Sequence, residues 1–470
     1  MAQPPAPTEL AAILAREIPG LEILSDVASV QARSRDSWVR SLMKSRLEGP
    51  PSAAVVVRPG SAGEVAAVLA WADRTSTPVI PFGLGSGVCG AVLAQGREVV
   101  LDLGKMDRLL QVNGDTLTAV VEPGMRGSDF EAALAARGFT MGHWPQSIEL
   151  STVGGWCATR ASGQFSTLYG NIEQMLLGCE VALANGRLLR LPSVPRAATG
   201  PDLKHLFVGS EGILGVFTEL TFRIHPAPQR QLGRAFTMPT LRAGLEALRK
   251  IMRAGWTPAV TRLYDATEAG RNFTIIADGK PVLLLMSEGT EARVETEAAA
   301  IAAIVAGEGG IDRGDEPLRS WLDHRNNVPT FESLLEQGLV ADTIEVAISW
   351  DRIGDLFETV CARGAKVQSV FAMSGHVSHC YTQGANIYFT FVGAQGDLDT
   401  AIRIYDEVWK TTIETTIELG GTIAHHHGIG RVRKPWLSRE IGEGGVALLA
   451  ALKRSFDPNG ILNPGVLVDT

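Results

Sequence analysis

A strand that runs straight into a glycine loop, with no room for a helix before the next strand, restricts this chain's fold more than any other feature. The run VIPFG ends in PFGLGSGVCGAV, which places glycines at 83, 85, 87 and 90. Upstream, AAVVV reads as a strand and RPGSAGEVAAVLAWADRTSTP as an amphipathic helix with Val65, Val68, Leu69 and Ala72 on one face. The segment from Pro51 to Gly83 is therefore a β-α-β unit. Glycines lack the Cβ that would block positive φ, so successive N–H groups can turn inward around an anion. A dinucleotide-binding turn would require a crossover helix of ~10–12 residues next. Only about ten residues separate Gly87 from the strand REVVLDL, and two of them are glycines. Asp102 falls near the offset of that motif's ribose acid, but the missing helix excludes the motif. The loop reads as a pyrophosphate cradle of another kind.

Two further stretches share this character. SIELSTVGGWCATRASG (147–163) offers small side chains and hydroxyl donors, and GSEGILGVFTEL (209–220) brings glycines up to a strand. Three such stretches in one half of the chain point to a single large cofactor with a pyrophosphate and rings. At 470 residues the chain has room for about two or three domains. It is 45% apolar and 20% charged, which supports a sizeable core and excludes a disordered or coiled-coil polypeptide. A net charge of −8 gives no global field for nucleic acid, and none is expected as a partner. The most apolar helix-like stretch, Ala298 to Ala306, is nine residues, under half of the ~20 needed to span a bilayer. The opening MAQPPAPTELAAI lacks the pattern of a secretory leader. Five scattered cysteines with no CxxC pair fit a reducing compartment. A cytoplasmic protein is expected.

Residues 1–50 read as a helical segment, and residues 51–228 as the cofactor domain with a hairpin turning at Asn185-Gly186. From 229 to 420 strands and helices alternate, which reads as an α/β domain with its own core. Residues 421–470 are loop-rich, then helical, and end in a Pro/Gly/Asn tail. Nine histidines are present, and His425-His426-His427-Gly428 is the sharpest chemical feature. Three consecutive imidazoles point in different directions, so they do not form a facial ligand set. They can place one base at a reacting carbon while the others bind phosphate or orient it.

The strings HWPQSIELSTVGGWCATRASGQFSTLYGNIEQM, TGPDLKHLFVGSEGILGVFTE and AHHHGIGRVRKPWL resemble the vanillyl-alcohol-oxidase-type flavoproteins, and within them the alkyldihydroxyacetonephosphate synthases. The resemblance runs from about Pro51 to Pro464 and is thin between Gly307 and Val340. It implies an α+β fold: a two-part FAD-binding domain of the PCMH type, a substrate (cap) domain and a C-terminal helical segment. FAD would lie against Pro81, Phe82, Gly83, Leu84, Gly85, Ser86 and Gly87 at its pyrophosphate. Gln146, Ser147, Ser151, Thr152, Thr159, Arg160, Ala161 and Ser162 would surround the flavin, with Glu211, Gly212, Ile213, Leu214, Gly215, Val216 and Phe217. The first loop has no histidine to tether the ring, so non-covalent FAD is expected.

By the same resemblance Tyr388 would be the proton donor, His425, His426 and His427 the base and its neighbours, and Arg262 an arginine needed for activity. Read from the residues alone, Tyr388 is a core tyrosine and Arg262 a strand arginine in a salt bridge. Arg325 in WLDHRNNVP is the residue taken to bind a substrate phosphate. Flavin-linked D-2-hydroxy-acid dehydrogenases carry histidines near here and bind a divalent metal, which would involve His376, His379 and one of His425 to His427. Tyr388 stands where the last histidine of their string would be, so no metal is expected. The implied activity is exchange of the acyl group of acyl-dihydroxyacetone phosphate for a fatty alcohol. The alternative is FAD-linked oxidation of a D-2-hydroxy acid or alcohol. The substrate would be a small or lipid-like molecule, the latter bringing peripheral membrane contact, and the resemblance implies a homodimer. A flavin-free binding protein is the reading disfavoured by the three loops and HHHG.

Overall fold

The structure, a computed structural model, describes residues 6–327 and 330–469. The first five residues of the stretch read for a leader, and Val328 and Pro329 of the string containing Arg325, lie outside the described residues. The β-α-β unit forms as its pattern requires. Strands Val55–Arg58 and Val79–Phe82 flank Val99–Asp102, all parallel, with Val99 opposite both Val55 and Val79. Helix Ala62–Thr75 joins the first two; Ser61 caps it by accepting the Glu64 N–H at 3.2 Å, and Val65, Val68, Leu69 and Ala72 are buried. No helix intervenes between Phe82 and Val99. One expectation fails here. The N-terminal stretch is not wholly helical, because Glu22–Leu24 is a strand that pairs antiparallel with Val56–Arg58 at the edge of this sheet. The tripeptide EIL sits between Gly20, in the left-handed region, and the cap of the next helix, too short a run to close helical turns.

A second sheet of five antiparallel strands runs Leu109–Asn113, Thr118–Val121, Val216–Arg223, Leu176–Ala182, Leu188–Leu191. The hairpin turns at Asn185-Gly186, with Gly186 at φ 79°. The cap contains seven strands, and every pairing in it is antiparallel, so strand–helix alternation builds an α+β layer there rather than parallel crossovers. Its spine is Gly384–Ala394 paired along its length with Leu339–Ser349, which buries Ile344, Val346, Ile387, Phe389 and Phe391. Helix Leu398–Glu418 adds buried Tyr405 and Trp409, and the Tyr405 hydroxyl accepts from the Trp38 indole at 3.1 Å. The N-terminal segment is thereby docked onto the cap.

The C-terminal tail returns to the first sheet. After helix Leu437–Phe456, kinked at Gly442, the Asn463 N–H donates to the Val79 carbonyl at 2.8 Å. Buried Lys453 donates to the carbonyls of Ile213 at 3.0 Å and Leu462 at 2.6 Å and pairs with Asp457. The third glycine stretch and the tail are thus held as one body. Among the described residues no helix is long and apolar enough to cross a membrane.

Candidate active site

A cleft of about 990 Å³ lies between the glycine loops and the cap sheet. Its floor is built by close backbone approach. A Cβ on Gly83 would sit 2.6 Å from Thr152 Oγ1, so only glycine lets the first loop meet the second. Thr152 in turn caps helix Val153–Thr159 by accepting the Gly155 N–H at 3.2 Å. Asp36 accepts the N–H groups of Trp38 and Val92, while Ser37 donates from its N–H to the Gly87 carbonyl at 2.7 Å. The first loop is thus clamped from behind. Burial pushes the Asp36 carboxyl up to about 7.

Of the residues expected around the cofactor, Pro81, Gly83, Leu84, Gly85, Ser86 and Gly87 line the cleft, as do Gln146, Ser147, Ser151 and Thr152. So do Thr159, Ala161, Ser162, Glu211 and Gly212. The others lie elsewhere. Phe82 turns into the hydrophobic cluster beneath the sheet, because neighbouring strand residues face opposite sides. Arg160 is the left-handed cap of its helix and reaches outward to Glu173 at 3.4 Å. Ile213, Leu214 and Phe217 join the main core of this domain, Val216 packs under the first sheet, and Gly215 lies against Val181 and Phe207.

On the cap side Tyr388 sits between two imidazoles, stacked on His376 at 5.1 Å and on His426 at 5.9 Å, with His427 edge-on at 5.5 Å. Strand pairing explains part of this, since Tyr388 is opposite both His376 and Glu345. Its hydroxyl accepts from Thr343 at 3.0 Å, and burial pushes its pKa up, so it remains a protonated donor. His426 and His427 face the cleft, whereas His425 points away from it to the Tyr381 hydroxyl at 2.7 Å. His425 is therefore a supporting group and not a wall of the cleft.

The histidine loop is held by one buried ion pair. Glu345 accepts the N–H groups of His425 and His427 and pairs with Arg433 at 2.9 Å, both side chains being fully buried. Arg433 also donates to the carbonyls of Ile423 and Gly428, and its guanidinium lies 4.9 Å from the Trp409 ring centroid. Gly430, at φ 53°, completes the turn, because a Cβ there would lie 2.1 Å from the Cys89 carbonyl. Neither Glu345 nor Arg433 is recognisable from sequence, since one is an unremarkable strand residue and the other one of many arginines.

His379, His425 and His426 each bring a ring nitrogen within 4.8 Å of the others, close enough for a shared cation. The His425 and His426 Nδ1 atoms are 2.8 Å apart, however. Two nitrogens on a tetrahedral zinc keep ~3.3 Å between them, from Zn–N lengths of ~2.0–2.1 Å. The described geometry is a hydrogen bond.

Burial holds His425 down at about 4 and His427 at about 3, and lowers His426 and His379 as well. These imidazoles are neutral. Their folded pKa lies below the unfolded value of ~6.5, so the unfolded chain takes up protons first and stability falls as pH drops from ~6.5 towards 4. The thermal midpoint is expected to decline across that window, and His427→Asn to flatten the slope. An unaltered slope in that variant would assign the acid sensitivity to other groups.

Arg262 and Arg325 both reach the cleft beside Trp321, their guanidinium carbons 5.1 and 5.7 Å from its ring centroid. Arg262 is not in the salt bridge its strand position suggests: it bonds the Tyr264 hydroxyl at 2.9 Å and His376 Nε2 at 2.6 Å. His376 passes its Nδ1–H to Glu268 at 2.8 Å, and Glu268 also accepts from Thr390 at 2.7 Å. Arg325 donates to the Leu322 carbonyl at 3.0 Å, and its Nε is buried without a partner. Among the described residues neither arginine meets a carboxylate within salt-bridge distance.

The cleft fits a flavin dinucleotide on its own features. Leu84 and Leu150, 41% and 65% exposed, are apolar side chains on its wall awaiting a cover. Gln164 Oε1 and Asn463 Oδ1 are buried on the same wall with no partner.

Comparison with known proteins agrees. Residues 53–192 match the model of the FAD binding domain, and residues 228–467 that of the FAD linked oxidases, C-terminal domain. The chain is 36% identical over 432 residues to the uncharacterized FAD-linked oxidoreductase YgcU of Escherichia coli (strain K12), covering 89% of each. It is 29% identical to the alkyldihydroxyacetonephosphate synthase of Trypanosoma brucei brucei, over 98% of this chain and 80% of that one. A solved alkyldihydroxyacetonephosphate synthase superposes with a TM-score of 0.83 at 25% identity, over 99% of this chain and 86% of the other. The glycine cradle, the cap and the histidine loop are accordingly those of an FAD-dependent enzyme, and the chain belongs to the FAD-linked oxidase family.

Proposed function

We propose that the protein oxidises a small, polar alcohol carrying an anionic group, a 2-hydroxy acid being the simplest case. The observation that carries this is the pair Arg262 and Arg325, two guanidiniums facing the cleft without carboxylates. A buried cation left unpaired is costly, and a substrate carboxylate or phosphate offsets that cost. Beyond the pair the wall is mixed, with Glu268, Arg271, Thr343 and Thr390 beside the apolar Phe273, Phe331, Leu334 and Val392, so a polar substrate would find hydrogen-bond partners next to the arginines. Bound FAD supplies a hydride acceptor. In this reading His426 takes the hydroxyl proton through its cleft-facing Nε2. Tyr388 donates a hydrogen bond to the substrate oxygen, and the arginine pair fixes the acid group. Non-covalent FAD belongs to this proposal. Acid precipitation is expected to release all flavin into the supernatant, and colour left in the pellet would mean a tether.

A second reading is ether-bond formation on a dihydroxyacetone phosphate ester. The likeness to the synthases and the stacked Tyr388–His426 pair favour it. The arginines would then take the phosphate. The two readings separate in one experiment. Anaerobic bleaching of the flavin by D-lactate, glycolate or D-2-hydroxyglutarate supports oxidation. Flavin that stays oxidised with all three, together with exchange of a labelled fatty alcohol into acyl-dihydroxyacetone phosphate, overturns it. With an acid that bleaches, Arg325→Met is expected to raise KM about 10- to 100-fold, the scale of a charged hydrogen bond. An unchanged KM would remove Arg325 from the anion site.

A further inference from the structure

We infer that His425 and Tyr381 are the proton outlet of the cleft, a hydrogen-bonded chain that lets His426 exchange a proton with the surface while staying neutral. The inference rests on the reading of His426 as the base. Four groups lie in line. His426 Nδ1 is 2.8 Å from His425 Nδ1, and His425 Nε2 is 2.7 Å from the Tyr381 hydroxyl. The hydroxyl is 3.1 Å from the Asn171 amide nitrogen and 3.4 Å from its amide oxygen. Ser162 donates to that oxygen at 2.5 Å.

Each link holds one proton, and each neutral imidazole carries one N–H, so the chain can be filled in two ways. In the first, Asn171 donates to Tyr381, Tyr381 to His425 Nε2, and His425 Nδ1–H to His426 Nδ1. The one proton of His426 is then on Nε2, facing the cleft, and the ring is an acid. In the second, His426 Nδ1–H donates to His425 Nδ1, His425 Nε2–H to Tyr381, and Tyr381 to the Asn171 oxygen. His426 Nε2 is then bare, and the ring is a base. A proton bound at Nε2 converts the second filling into the first, as the Nδ1 proton moves to His425, the His425 Nε2 proton to Tyr381, and the former hydroxyl proton passes to solvent water, the Asn171 oxygen being only a hydrogen-bond acceptor. One proton enters and one departs. No imidazolium persists, which suits a pocket whose burial lowers all three rings.

The chain also leads somewhere. His426 lines the cleft, whereas Tyr381 is half-buried and is followed by the exposed residues Thr382 and Gln383. The titratable and charged groups around it are Glu345, which accepts the His425 N–H and pairs with Arg433; His379, 4.9 Å from the His425 ring; His427; and Glu173, whose Oε1 is 3.4 Å from Arg160 while its Oε2 is buried without a partner.

Tyr381→Phe in the flavin-loaded enzyme tests the outlet with two readouts. The first needs no substrate: ¹⁵N NMR of histidine-labelled protein is expected to show a proton shared between two ring nitrogens. In the variant the His425 tautomer is expected to shift. Identical imidazole spectra, or no shared proton in the parent, overturn the inference. The second follows bleaching by D-lactate. The variant is expected to slow it about 100-fold, the lower end for a proton-transfer step, with a larger solvent isotope effect and unchanged flavin content. His426→Asn runs alongside. If that variant is dead while Tyr381→Phe keeps both rate and isotope effect, the outlet falls and the base assignment stands. If His426→Asn remains active, the base assignment falls instead. Should D-lactate not bleach the parent, the NMR result alone decides.

Discussion

Replacing His426 by Asn is expected to cut turnover by about 10²–10⁴-fold, the usual contribution of a positioned acid or base, while FAD stays bound. The asymmetry follows from geometry. His426 faces the cap side of the cleft and stacks on Tyr388, while the cradle proposed for the dinucleotide is made by Gly83, Thr152 and the Asp36 clamp. Binding and chemistry therefore come from different walls. Asn keeps a polar group of similar reach at the Nδ1 position but has no titrating nitrogen at Nε2. Absorbance of the purified variant reports flavin content, and stopped-flow bleaching reports turnover. Loss of flavin along with activity would instead make His426 a structural residue of the cofactor site.

A comparably large effect is expected on stability from Arg433→Leu. This substitution leaves Glu345 buried with no counter-charge and strips the carbonyls of Ile423 and Gly428 of their donor. Breaking a fully buried pair from one side costs about 3–5 kcal/mol. A chemical-denaturation midpoint should register the loss. The double variant Arg433→Leu, Glu345→Leu should recover part of it, because the stranded charge goes too. Activity should not return with stability, since removing Glu345 takes away the acceptor of the His425 and His427 N–H groups. A single variant as stable as the parent would show that Glu345 takes up a proton or finds water at little cost.

The cofactor half was legible in the sequence because its signals are local. A strand ending in glycine, a ten-residue gap and an Asn-Gly turn are each decided within a few residues, and all three form as read. Among the residues expected around the cofactor and in the histidine string, the differences come from side-chain direction. The sequence groups Ile213 to Phe217 with Glu211 and Gly212 as one contact stretch, yet the chain enters the core directly after Gly212 and the strand at Val216. His425 was grouped with its two neighbours, and adjacent residues face different ways. The cap side was scarcely legible. Glu268, Trp321, Tyr381 and Glu345 come from separate elements, and their partners lie as much as 210 residues away along the chain, as Tyr381 does from Asn171. Periodicity carries no information about such pairings. The histidine string could be spotted, but which ring faces the cleft is set by Glu345 and Arg433 across the fold.

Asn463 has consequences for how the enzyme is born. Its side chain forms part of the cleft wall, its Nδ2 donates to the Glu211 carbonyl at 2.7 Å, and its backbone extends the sheet at Val79. A ribosome that has made the entire nucleotide-binding half has therefore made the glycine cradle but not the part of the cleft wall that residue 463 contributes. The nascent chain must thread the cap, lay down the histidine turn and bring residue 463 back before the cleft closes. The cleft wall is therefore complete only when nearly the whole chain has been made.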